Sequence, residues 1–111
     1  MENFALDSLD PLKIIQSEFD NYQQNFFPKR TPEFFCLELN GEAGELANAE
    51  KKLWKGKTVE HYSLEDEAAD VFIALMNYSN SRKIELGKAV KEKLIKIEEK
   101  RQFLAKSGEE Y

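Results

Sequence analysis

The spacing of apolar residues divides the chain into four helical stretches. Leu12, Ile15, Phe19, Tyr22 and Phe26 recur at intervals of three and four behind Asp10-Pro11, a capping carboxylate followed by proline at the first helical position. This predicts an amphipathic helix over 11–26. Phe27-Pro28-Lys29-Arg30 breaks it, and Thr31-Pro32 repeats the device to open a second helix over 32–54. Residues 55–62 lack a helical period and carry Gly56 early, so they read as a loop. Ser63 and Asp66 resemble a capping box that opens a third helix over 64–81. From Val71 to Met76 this helix is apolar nearly all round, which predicts burial on several sides. After a turn near 81–85, a fourth helix over 86–105 carries Ala89, Val90, Leu94 and Ile97 as its stripe, with lysines outside. Residues 1–9 read as an arm and 107–111 as a frayed tail, both expected to be flexible. With no repeat or linker, 1–111 reads as one all-α domain, a four-helix-bundle-like protomer. Its second and third helices, joined by a short loop, are expected to form an antiparallel central pair.

The polar residues on the second stripe are out of place. On a wheel of about 100° per residue, Glu38, Glu42 and Glu45 share the arc of Phe35, Leu39, Leu46, Ala49 and Leu53. The third helix repeats the theme, with Glu67, Asp70, Ala74 and Asn77 on one face. Acid-x-x-acid spacing alone is weak, since 21 acids in 111 residues produce roughly four such pairs by chance. Placement is what counts. Carboxylates on an apolar stripe are desolvated and repel one another, so two such pairs on adjacent helices call for a cation. Oxygen ligands without histidine or cysteine suit a hard ion, Mg²⁺ or Mn²⁺. A di-iron site needs Glu-x-x-His on two helices, and the single histidine, His61, lies in the predicted loop. Gly41 and Gly44, beside the acids, suggest close approach of another helix or a ligand, or simple tolerance of small residues.

Composition narrows the classes. A net charge of −5 with no basic stripe argues against nucleic-acid binding. No apolar run reaches the roughly 18 residues of a membrane span, and the start lacks a secretory pattern. The lone Cys36, read as a small buried hydrophobe, fits a reducing cytoplasm.

Glu42-Ala-Gly-Glu45-Leu46, then Glu67-Ala-Ala-Asp70-Val71, then Asn77 and Arg82-Lys83, resembles the MazG-like all-α nucleoside triphosphate pyrophosphohydrolases, marked by Glu-x-x-Glu, a spacer and Glu-x-x-Asp. The resemblance runs from about Phe19 to Arg101. It implies a homodimer or homotetramer and Mg²⁺-dependent cleavage of an NTP or dNTP to the monophosphate and pyrophosphate, as in clearing unwanted nucleotides from the pool. By motif, Glu42, Glu45, Glu67 and Asp70 become metal ligands. Glu42 or Glu45 is the candidate proton acceptor for the attacking water, and Glu38, added from the wheel, either orients water or pairs with a lysine. Substrate contacts are assigned to Trp54 (base stacking, or else core or interface packing), to Lys51, Lys52, Lys55 and Lys57 around the end of the second helix and to Arg82 and Lys83 (phosphate oxygens, or else solvated helix-end charge), to Lys93, and to Asn77 (base edge or metal-bound water, or else a helix–helix bond). Two departures stand out. Ile97 replaces an asparagine common in relatives, and Trp54 sits about two residues further from Glu45 than in the deoxycytidine-triphosphate-cleaving branch. The alternatives are a Mg²⁺-dependent hydrolase of a (p)ppGpp-like nucleotide and a non-enzymatic helical interaction module.

Overall fold

The computed structural model describes residues 6–110. Among them the chain forms four α-helices, α1 (Leu12–Phe26), α2 (Pro32–Trp54), α3 (His61–Ser81) and α4 (Leu86–Lys106), preceded by a 3₁₀ turn at Leu6–Leu9. No strand is present among the described residues, and none of their helices is long and apolar enough to cross a membrane.

The ends of the helices follow local chemistry, with two corrections. Thr31 caps α2, its Oγ1 accepting the Phe34 N–H at 3.2 Å, with Pro32 in the first turn. Asp10 does not cap α1: the helix opens at Leu12 with Pro11 in the cap position, one residue later than expected, and the Asp10 carboxylate meets the ammonium of Lys91 on α4. The box expected from Ser63 and Asp66 is not made either. α3 starts earlier, behind Glu60, and Ser63 falls in its first turn, donating its N–H to the Glu60 carbonyl at 3.0 Å. His61 therefore opens α3 instead of ending a loop, and it faces Glu65 at 3.1 Å on the surface. At the end of α2 the Lys57 N–H reaches back to the Lys52 carbonyl at 2.9 Å across Gly56, whose φ of +81° suits a residue without Cβ. That reversal brings Thr58 and Val59 beside the acids. Past α4, the N–H groups of Gly108 and Glu109 close on the carbonyls of Ala105 and Leu104 at 3.2 and 2.8 Å, so an ordered cap begins the predicted tail.

The most extensive packing is α2 on α3; α1 lies on α3, and α4 is held by α1 and the 3₁₀ turn. Phe35, Ala74 and Met76 are the buried apolar residues among those described. One polar cluster ties three segments together. The Gln16 amide on α1 donates to Asn80 Oδ1 (3.2 Å) and the Ile84 carbonyl (2.9 Å), and its oxygen accepts the Leu86 N–H (2.7 Å). Gln16 is 5% exposed, so these bonds replace the water it has lost.

Three expectations of burial fail within the protomer. Phe72 and Ile73 on α3 are each 41% exposed, and Cys36 is exposed. A Cβ added at Gly41 or Gly44 would meet nothing within 4 Å, so no neighbouring helix of the protomer crowds them.

Candidate metal centre and its flanking clefts

Packing α2 on α3 brings the two acidic pairs together. Carboxylate oxygens of Glu42, Glu67 and Asp70 lie within 4.8 Å of one another, and all three residues are half-buried. Glu45, more exposed, stands close enough to act on both Glu42 and Glu67. Burial raises the Glu42 carboxyl above its ordinary range, and the charges of Glu45, Asp70 and Glu67 add to the shift. Glu67 is raised likewise, by burial first and then by Glu45, Asp70 and Asp66.

Among the described residues no basic partner offsets these shifts. Glu42 Oε2 and Glu67 Oε2 are shut off from solvent and have no hydrogen-bond partner among the described residues. Two orphaned carboxylate oxygens in a converging acidic group are what a divalent hard cation would satisfy, and the all-oxygen donor set suits Mg²⁺ or Mn²⁺. The residues present therefore fit such an ion.

A cleft opens on each side of the acids. Toward the end of α2, one of about 490 Å³ is bordered by Glu45 and Glu67 and also by Asn48, Lys52, Thr58 and Ser63. It is polar, with one ammonium and two hydroxyls beside the carboxylates. Toward the start of α2, a second of about 420 Å³ is walled by Tyr22, Phe27, Phe34 and Phe35 and contains Glu38 and Asn77. Rings pack edgewise around it, Tyr22 on Phe27 at 5.4 Å between centroids and Phe34 on Phe35 at 5.6 Å, while the Arg30 guanidinium covers Phe34 at 4.7 Å. Asn77 is 6% exposed, yet among the described residues its carboxamide makes no hydrogen bond. The amide is not sealed as the Glu42 and Glu67 oxygens are, so it stays open to a partner from the cleft it borders.

The other candidates lie apart from this group. Trp54 is 88% exposed, on a surface with Ala47, Glu50, Lys51 and Leu53, and borders neither cleft. Lys55 ends α2 outside the polar cleft, where Lys52 stands instead. Arg82 pairs with Glu33 at 3.5 Å on the surface, and Lys93 is exposed on α4. The aromatic cleft and the cleft positions of Thr58 and Ser63 carry no motif in the sequence. The signal was the density of rings between Phe19 and Phe35, which periodicity assigns to helix packing.

Comparison with known proteins yields a family. Searches among curated proteins and among solved structures gave no significant match. The model of one family, the MazG nucleotide pyrophosphohydrolase domain, matches residues 30–103, a span that holds all four acids and both helices that carry them. The chain belongs to the MazG nucleotide pyrophosphohydrolase domain family.

Proposed function

We propose that this protein is a divalent-cation-dependent pyrophosphohydrolase that adds water across the α–β anhydride of an NTP or dNTP, giving the monophosphate and pyrophosphate. The observation that carries the reading is the acidic group on α2 and α3, with two orphaned oxygens and a cleft of different chemistry on either side. Glu42, Glu67 and Asp70, with Glu45, would hold Mg²⁺, which supplies charge neutralisation for the phosphates and a more acidic water. Without it the carboxylates would repel the substrate.

The chain's own groups do the rest. Glu45, the most exposed of the four, is the carboxylate free to accept the proton of the attacking water. Lys52, Thr58 and Ser63 offer donors to phosphate oxygens beyond the acids, and the aromatic cleft offers ring faces to the base. Glu38, bordering the aromatic cleft one turn before Glu42, would lie between base and acids. The reading extends to a homodimer or homotetramer, a reducing cytoplasm and the removal of unwanted nucleotides.

Hydrolysis of a panel of NTPs and dNTPs, with and without Mg²⁺, tests it when pyrophosphate and orthophosphate are read separately. Expected is Mg²⁺-dependent pyrophosphate release that falls about 100-fold or more in Glu42→Gln. Release of pyrophosphate only from a guanosine carrying a 3′-diphosphate would favour a (p)ppGpp-type hydrolase. No turnover of any nucleotide, with melting unchanged by Mg²⁺, would leave a helical interaction module.

A further inference from the structure

We infer that the aromatic cleft selects its base by hydrogen bonding, with Asn77 and Glu38 reading an amidine edge, an exocyclic amino group beside an unprotonated ring nitrogen, as in cytosine and adenine. The inference rests on the pyrophosphohydrolase reading and adds the class of substrate. Its starting point is Asn77, a residue 6% exposed whose carboxamide makes no hydrogen bond among the described residues and borders the cleft walled by Tyr22, Phe27, Phe34 and Phe35. The rings supply faces on which a planar heterocycle stacks, which is sequence-tolerant. Discrimination must come from the polar groups.

Asn77 and Glu38 differ in what they can accept. A carboxamide offers one acceptor and one donor side by side, so it can take the amino proton and give a proton to the ring nitrogen. By turning over, it could equally pair with the lactam edge of uracil, thymine or hypoxanthine. Glu38 breaks that tie. It borders the same cleft, and an ionised carboxylate only accepts. The second proton of an exocyclic amino group suits it, whereas a carbonyl oxygen there would set acceptor against acceptor. Gln23 and Arg30 border the same cleft and also carry donors, Arg30 lying over the Phe34 ring, so the Glu38→Gln variant weighs the carboxylate against them.

Position fits as well. Asn77 stands two helical turns beyond Asp70, about 10 Å along α3, and Glu38 one turn before Glu42, about 6 Å along α2. A base held by this pair leaves its phosphates over the acids.

The experiment compares kcat/KM for dCTP and dATP with that for dUTP, dTTP and dITP, with Mg²⁺, in the wild type, Asn77→Leu and Glu38→Gln. Binding of cytidine and uridine without metal is followed in parallel by NMR titration, because nucleosides avoid repulsion by the acids. Expected is a preference of about 10- to 100-fold for the amidine bases, lost in Asn77→Leu and narrowed in Glu38→Gln. The nucleosides should rank in the same order. Should Asn77→Leu fail to fold, Glu38→Gln and the wild-type ranking still decide. Equal use of both classes, a preference for the lactam bases, or a preference unaltered in a folded Asn77→Leu would overturn the inference while leaving the pyrophosphohydrolase standing. Failure to cleave any nucleotide would instead remove the reading beneath it.

Discussion

Single residues in this protein disclose most where their surroundings do not suit them. Glu67 is the plainest case, with one oxygen sealed from water, no basic partner among the described residues and a carboxyl raised by burial and by Glu45, Asp70 and Asp66. A raised carboxyl means that the folded chain holds its proton more tightly than the unfolded chain does. Above the folded value the group is ionised in both states and the fold bears the full repulsion; below the ordinary carboxylate range it is protonated in both and the cost vanishes. Glu67→Gln, measured without divalent ions, should therefore melt higher than the wild type at neutral pH. The gain should shrink as pH falls through the raised value toward the ordinary carboxylate range. Adding Mg²⁺ should stabilise the wild type and do little for the variant. A Glu67→Gln protein that melts lower at neutral pH without metal would show that the acid is a structural partner, and the metal reading of this position would go with it.

At the scale of elements, what the sequence disclosed was what depends on near neighbours. Thr31-Pro32 capped α2 because its partner, the Phe34 N–H, lies three residues away. Asp10 misled because the helix opens one residue later, behind Pro11, and its carboxylate is turned to Lys91, distant in sequence but near in space. The acidic faces were legible from spacing, since a helix fixes which residues share a side. The aromatic cleft was not, because its walls come from α1, the 27–30 turn, α2 and α3 at once. The end of α3 carries a local misfit of the same family of turns. Lys83 adopts φ +56°, where Cβ is crowded, while its N–H and that of Ile84 close on the carbonyls of Asn80 and Ser79 at 3.1 and 2.8 Å. Glycine fits that position without strain, so Lys83→Gly should raise stability by about 1 kcal/mol in a urea melt. A loss instead would mean that the lysine side chain makes a contact worth more than the strain.

The whole molecule raises a question of cover. Only three apolar residues are buried among those described, while Leu37 is 75% exposed, Trp54 88%, and Phe72 and Ile73 lie open on the helix that carries most of the core. A chain of 111 residues has little surplus stability to leave so much apolar surface in water. Association is the simplest remedy, and it would also crowd Gly41 and Gly44 where the protomer alone leaves space. Sedimentation should accordingly show at least a dimer at micromolar concentration. Phe72→Glu places a charge where apolar cover is expected, and it should shift the protein toward monomer and lower its melting temperature. Its acids remain on α2 and α3 of one chain, so Mg²⁺ binding per chain should outlast dissociation even where turnover does not. A wild-type monomer with full activity would show that the open surface serves something other than self-association, and that a single chain encloses enough of the substrate to cleave it.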